Sequence, residues 1–597
     1  MTPGKHLRVL LNAPPTPSTA PQRAYLATAA PARFESGFFA EERDEVHAFR
    51  WMDTSGRLAF GPHDGDRHLE LWVFSAFHDL SQELSVIAGD LTHRERLVHG
   101  WGRLSVPVPA GVDHVVLEVN KPFPRAYYPA DPRTLGVRLS RPHLHSDPRR
   151  HLDIREQHEN SVLNLAETLD GRSELRSFPR SLGIDMYGAC NVKPPCVYCE
   201  WDHNKALEGD NVDAPFTRDT LRELGEFFER PGMLVNCSIG EPFMMKDFDG
   251  ILDDFGDRGK VLELTTNGQI LTDRNIQKLV GRNIHLYISL DAATASTYVK
   301  LRNDKFDRIL ANLRRLIAAK GGKDGLPLVY LVFMPMRVNV HEAEAFVDLC
   351  ADIGVDRLVL RPLNYSEDIE LDGERDGYRF RYRDELLPFP ELVRVSARVA
   401  ELCAARGVDL SDQMDFGGSL RDLFPDSFRE EHPAGRGEDA DTPAHVAPAA
   451  GAQAPALAAP APPVAEGPLP SLGGERLPVC QEPWKSLYIL RRGVFPCCYG
   501  GEPIAPMNGY REAWNSPRMQ AIRSELAAGR FHEYCLKSSS CPIVRKTEQG
   551  RGLDPGDSRY LRVRRLWHRL DRVLGGVPAR LLVSLKAPVV RLLRRGA

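Results

Sequence analysis

Cys190, Cys196 and Cys199 stand close together in the run Gly188-Ala189-Cys190-Asn191-Val192-Lys193-Pro194-Pro195-Cys196-Val197-Tyr198-Cys199. Thiolates are soft ligands, so one loop carrying three of them can hold a zinc ion or an iron–sulfur cluster. Three rather than four leaves one position open. In a cluster the open position is an iron without a protein ligand, free to bind a small molecule. In a zinc site it is filled by a fourth ligand from elsewhere. From the triad alone both chemistries stand.

A second group of thiols lies far along the chain: Cys480, Cys497, Cys498, Cys535 and Cys541. Four thiols could form a zinc ribbon as readily as a second cluster. The chain has 11 cysteines in all, an odd number, and their uneven placement is not a secreted disulfide framework. The first 15 residues lack the apolar core and cleavage site of a signal peptide. No apolar run is long enough to span a bilayer. These features predict reduced thiols and a cytoplasmic protein. A net charge of -4 and a pI near 6.6 predict no general affinity for nucleic acid.

The elements that must position these groups follow in order. Residues 1–175 read as all-β, with short runs at 7–11, 68–77, 82–88, 94–98, 103–108 and 114–119 punctuated by Gly, Pro and Asp. This predicts a β-sandwich-like domain. Its many aromatics, Phe38, Phe39, Phe49, Trp51, Trp72 and Trp101 among them, read first as core and second as a sugar-stacking platform. From 181 to 410 the rhythm becomes strand, helix, strand, helix, with strands at 182–186, 234–238, 261–265, 285–290, 328–334 and 356–361. Six such units predict an α/β fold, a parallel sheet curved into a partial (β/α)6 TIM-like barrel.

In a barrel of this kind, chemistry gathers at the carboxyl ends of the strands. The thiol loop follows the first strand. Ser238-Ile239-Gly240-Glu241-Pro242 follows the second, Thr266-Asn267-Gly268 the third and Ser289-Leu290-Asp291 the fourth, with Arg302 one helix later. Each alone has an ordinary reading as a turn. Their succession on consecutive strands is what a zinc site would not require.

In this order and placement the region resembles the radical S-adenosylmethionine (SAM) superfamily. The resemblance implies that Cys190, Cys196 and Cys199 ligate a [4Fe-4S] cluster whose open iron binds SAM. It further implies Tyr198 against the adenine, Gly240 and Glu241 near the methionine amino group, Ser289, Asp291 and Arg302 near the ribose or carboxylate, and Asn267 as a further cofactor-binding residue. Two departures stand out. Five residues separate the first two cysteines instead of three, with Pro194-Pro195 among them, and Ile239 replaces a glycine. Residues 478–548 resemble the SPASM or twitch extension of that superfamily, a small cluster-binding domain. This implies an auxiliary [4Fe-4S] cluster on Cys480, Cys498, Cys535 and Cys541, with Cys497 as the alternative to Cys498. Trp514-Asn515-Ser516-Pro517 and Arg523 fit the same module.

Residues 433–474, rich in Pro, Ala and Gly, read as a linker. The tail, 558–597, is basic with interleaved leucines, either packed back on the protein or making peripheral membrane contact. The expected function is generation of a 5′-deoxyadenosyl radical that abstracts hydrogen from substrate, as an oxidoreductase or epimerase. A flavodoxin or ferredoxin would supply the electron. Cys497, if not a ligand, could return a hydrogen to the substrate. The N-terminal unit resembles β-sandwich modules of carbohydrate-modifying enzymes, which points to a sugar or glycan among the small-molecule, glycan or peptide substrates open to such a protein. A peptide maturase is the alternative, and a cluster-bearing electron-transfer or sensor protein the non-enzyme one.

Overall fold

The computed structural model describes residues 30–43, 48–123, 131–185, 188–199, 217–237, 240–245, 248–257, 260–323, 325–363, 371–413, 478–538, 541 and 543–544. The expected strand at 7–11, the linker 433–474 and the tail 558–597 lie outside them.

The first sheet comprises β1 (Ala30–Pro31), β2 (Arg33–Arg43), β3 (Ala48–Ala59), β4 (Arg67–Ser75), β5 (Glu83–Ala88), β6 (Leu91–Arg96), β7 (Gly100–Val108), β8 (His114–Val119) and β9 (Arg138–His145). All its pairings are antiparallel, in the order β6-β5-β8-β3-β9-β4-β7, with β1 on β9 and β2 on β3. The long β3 connects two halves: Arg50 faces Leu139 of β9, whereas Ser55 faces Glu118 of β8. One apolar cluster draws on strands of both halves, including Leu71, Val86, Val106, Leu117 and Leu139. The aromatics divide as their burial dictates. Phe49, Trp51 and Phe123 are buried, and the Arg138 guanidinium lies over Phe49, Trp51 and Phe74 at 4.8, 4.8 and 4.5 Å. Cation–π packing of this kind uses the ring faces that a sugar platform would need.

The all-β reading of residues 1–175 is corrected by a 22-residue helix, Pro148–Leu169. Asp147 caps it, its side chain accepting from Arg149 N and Arg150 N, and Pro148 occupies the first turn, where its missing N–H costs nothing. The buried positions, among them Arg150, His151, Ile154, Gln157, His158, Asn164, Leu165 and Thr168, recur at helical spacing. Most are polar, so hydrophobic periodicity does not reveal them.

The second sheet is built from β10 (Ser181–Ile184), β11 (Met233–Asn236), β12 (Val261–Thr266), β13 (Ile284–Ser289), β14 (Leu328–Phe333) and β15 (Arg357–Leu360), parallel and in consecutive order. These are the six expected strands, shifted by one or two residues. It is the nearly closed, barrel-like arrangement of a mixed α/β fold. One face buries Leu262, Leu264, Leu286, Ile288, Leu331 and Leu358 beneath the helices. The inner face carries Glu263, Tyr287, Ser289, Tyr330 and Arg357, which alternate with them.

Further strands flank the six. A hairpin, β16 (Asp372–Arg375) and β17 (Tyr378–Arg381), follows β15, and β18 (Asp409–Asp412) pairs parallel with β15. At the other edge β19 (Ser486–Leu490) pairs parallel with β10, and β20 (Gly493–Phe495) turns back antiparallel on β19. The C-terminal cysteine region is therefore continuous with the barrel sheet. Arg523, on the helix Pro517–Ala527, locks this junction. It is wholly buried, donates to Pro483 O and Ser173 O at 2.9 Å each, and lies 4.3 Å over Trp514. Trp514 Nε1 donates to Ser177 O, and Asn515 bonds Leu175 through both N–H and C=O. Among the described residues no helix is long and apolar enough to cross a membrane.

Candidate active site

The thiol loop leaves β10 and crosses the carboxyl end of the barrel. It is pinned along its length: Glu241 N donates to Ala189 O at 2.7 Å, Asn267 Nδ2 to Asn191 Oδ1 at 2.8 Å, and Val197 N to Leu301 O at 3.0 Å. A tight turn closes its end, with Cys199 N on Cys196 O at 3.0 Å. Cys190, Cys196 and Cys199 are each half-buried. Burial raises the Cys190 thiol above its usual range. The first loop proline follows a cis peptide bond, Lys193-Pro194. Asn267 Nδ2 also reaches Cys190 Sγ at 3.9 Å, so the end of the third strand touches the thiol loop.

The two motif carboxylates are deeply engaged. Glu241 is buried and accepts from Thr266 Oγ1 at 2.7 Å, Asn267 N at 2.9 Å and Phe243 N at 3.4 Å. Burial pushes its carboxyl up to about 7 against those bonds. Asp291 has no exposed surface and takes a positive φ of 61°. It accepts from Tyr198 Oη at 2.7 Å, Arg302 Nη2 at 2.8 Å and Met334 N at 2.9 Å, while Asn339 Nδ2 holds its carbonyl at 2.8 Å. The Asp291–Arg302–Tyr198 group is thus a closed triangle, with the guanidinium 5.4 Å over the Tyr198 ring. The resemblance implies Asp291 near the ribose or carboxylate of SAM; here its carboxylate holds Tyr198 and Arg302 in place. Ser289 is partly buried on the inner face at the end of β13. Gly240, at the turn before Glu241, is described without its two preceding neighbours.

Whether these residues suit a cluster can be tested on their arrangement. Among the described residues no three His, Cys, Asp or Glu side chains converge as ligands of one ion must. A [4Fe-4S] cluster asks for thiolates spread around it, each on its own iron. Arg302 adds a second sign. Its Nε is buried without a hydrogen-bond partner, and its charge acts on Cys196 and Cys190. An orphaned buried cationic donor beside thiols suits an anionic occupant. The donor set fits the group.

The second thiol group divides. Cys480, Cys497 and Cys535 pack against the main core, and Cys480 and Cys497 each lie within electrostatic reach of Cys535 and Cys541. Cys498, the adjacent residue, is exposed and hydrogen-bonded to Tyr488. Tyr488 lies in register with Gly183 of β10, where an added Cβ would stand 2.2 Å from the ring. Gly183 therefore makes the room that lets Tyr488 cross the inner face. Cys237, Glu263 and Asp185 belong to the same surroundings. Sequence reasoning missed this inner wall of Glu263, Tyr287, Tyr330, Arg361 and Tyr488. The alternation of Glu263, Thr265, Tyr287 and Ser289 along two strands was the available signal. Glu263 hydrogen-bonds Tyr287, and the Arg361 guanidinium sits 5.7 Å over that ring.

Residues 184–350 match the profile of the Radical SAM superfamily. The chain is 27% identical over 205 residues to the probable GTP 3',8-cyclase of Methanocaldococcus jannaschii, spanning 34% of this chain and 63% of that protein. It is 29% identical over 187 residues to the probable GTP 3',8-cyclase of Saccharolobus solfataricus, spanning 31% and 56%. The chain thus spans less than two thirds of these relatives. The crystal structure of Streptococcus suis SuiB bound to precursor peptide SuiA superposes on 66% of this chain and 76% of that one, with a TM-score of 0.42 and 16% identity. Native anSMEcpe with bound AdoMet and Cp18Cys peptide superposes on 67% and 100%, with a TM-score of 0.38 and 13% identity. The chain carries, over residues 184–350, a domain of the radical SAM superfamily, whose members use a [4Fe-4S] cluster and SAM.

Proposed function

We propose that this protein is a two-cluster radical SAM enzyme that removes a hydrogen atom from a sugar or glycan-linked group and ends in oxidation or epimerisation. The observation that carries the reading is the placement of Cys190, Cys196 and Cys199 on one loop at the carboxyl pole of the barrel, beside the buried Arg302 whose Nε has no hydrogen-bond partner. With cluster and SAM bound, that pole supplies a 5′-deoxyadenosyl radical able to take hydrogen from a substrate carbon. The chain's own residues position and exclude. Cys190, Cys196 and Cys199 would be the ligands. Tyr198, fixed by Asp291, would lie against the adenine, and Ser289 would meet the ribose. Glu241 and Asn267 hold the thiol loop at the distance the site requires.

In the second group the packing of Cys480, Cys497 and Cys535 against the core, with Cys541 in electrostatic reach of them, supports these four as ligands of the auxiliary cluster. This exchanges the roles expected of Cys497 and Cys498. Cys498, on Tyr488 at the edge of the inner wall, is then the thiol placed to act on substrate. In the epimerising branch its S–H bond breaks as a C–H bond forms on the opposite face of the substrate carbon. One electron from a flavodoxin- or ferredoxin-class reductant and one proton from water would return the sulfur to thiol. The inner wall supports a hydroxyl-rich substrate, because Glu263, Tyr287, Tyr488 and Arg361 offer alternating acceptors and donors. Reduced thiols suit a cytoplasmic setting.

The test is solvent label. Reconstituted enzyme with SAM and reductant, given cell extract in D2O, is expected to place deuterium on carbon in a sugar or glycan fraction. Cys498→Ala should stop that labelling while 5′-deoxyadenosine still forms. Label found in peptides would overturn the substrate class, and undiminished label in Cys498→Ala would remove the thiol from the mechanism.

A further inference from the structure

The β16–β17 hairpin has no part in the roles above. Its turn residues, Asp376 and Gly377, both take positive φ, 50° and 69°, the geometry that two-residue hairpins favour. Next to the turn, Arg375 donates from Nη2 to Pro195 O at 2.6 Å and from Nη1 to Arg302 O. Pro195 immediately precedes Cys196. Arg302 ends the helix Ala295–Leu301, whose Leu301 O receives Val197 N. One guanidinium therefore ties the thiol loop to that helix from 180 residues away. The hairpin itself is anchored. Phe380 is fully buried in a cluster with Tyr198, Leu301 and Met336, against which Cys196 packs. Cys196 also lies within electrostatic reach of Arg375.

We propose that Arg375 is a positioning residue for the thiol loop and that its charge favours the reduced state of the cluster held there. The inference rests on the reading of Cys190, Cys196 and Cys199 as ligands. One-electron reduction adds negative charge to a site that three thiolates already make negative. A half-buried cation held in place by two carbonyls is weakly screened and opposes that cost. Lysine would preserve the charge but not the fork that reaches two carbonyls at once.

The experiment compares wild type, Arg375→Gln and Arg375→Lys after anaerobic reconstitution. It measures iron per chain and the midpoint potential of the cluster whose electron paramagnetic resonance signal changes on adding SAM. A wild-type protein without that SAM-responsive signal would bring down the ligand reading itself. Given the signal, Arg375→Gln is expected to titrate at a more negative potential and to hold less iron in this cluster. Arg375→Lys is expected to keep the wild-type potential while losing some iron. If the Gln variant holds no cluster, the loss bears out positioning and the Lys variant decides the charge. Wild-type potential and iron content in Arg375→Gln, or a Lys variant shifted as far as Gln, would overturn the proposal.

Discussion

Asp291 is the residue on which the active-site pole turns. Its carboxylate holds a phenol, a guanidinium and the backbone N–H of Met334, all out of water. Breaking a buried ion pair by neutralising one partner costs about 3–5 kcal/mol, since the other charge stays buried and uncompensated. Asp291→Asn isolates that effect, because asparagine tolerates the left-handed backbone and keeps one acceptor oxygen. We expect the apoprotein to lose stability of that order in denaturant unfolding, and the loaded protein to bind SAM more weakly as Tyr198 and Arg302 come loose. Unchanged unfolding and SAM affinity would mean that the triangle is ornamental. At this scale the sequence was partly legible. Tyr198, Asp291 and Arg302 could be singled out by type and by place on successive strands. That they bind one another could not, because it depends on distances across separate loops.

At the scale of elements, the junction between the first sheet and the helix Pro148–Leu169 is rich in buried histidine. Burial lowers His99 and His145 to about 3, and His151 and His158 to about 4, from the usual 6.5. His151 stacks on His68 at 4.1 Å and meets Ser105 Oγ at 2.9 Å; His99 stacks on His78 at 3.5 Å. Glu70 nearby, whose burial alone would raise it, is held well below the usual carboxylate range by Arg150 and Arg103. Below about pH 6.5 the unfolded chain takes up protons that the folded histidines refuse until about pH 4. Stability must therefore fall with pH across that window, by about 1.4 kcal/mol per pH unit for each fully buried neutral histidine. Unfolding midpoints between pH 7.5 and 4.5, followed on the metal-free protein, should show this decline; a flat profile would contradict it. The same helix shows why element prediction failed here. Its buried stripe of Arg, His, Gln and Asn makes hydrogen bonds such as Asn164 Nδ2 to Trp484 O at 2.7 Å. A polar stripe is invisible to a hydrophobic pattern.

At the scale of the whole molecule, the barrel sheet runs on into the C-terminal segment. β19 extends the barrel beside β10, so the second thiol group belongs to the same sheet as the first. The six barrel strands were legible because β-branched and leucine-rich runs alternate with amphipathic helices. The added edges were not, since Asp409–Asp412 is polar and Ser486–Leu490 lies beyond a long Pro/Ala-rich stretch. The central claim, that the chain carries two clusters and cleaves SAM at the first, has a direct test. Anaerobically reconstituted protein should hold about eight irons per chain, two [4Fe-4S] clusters. It should release 5′-deoxyadenosine on addition of dithionite and SAM. Cys196→Ala should retain about four irons and release none. Zinc in place of iron, or deoxyadenosine undiminished in Cys196→Ala, would contradict the account.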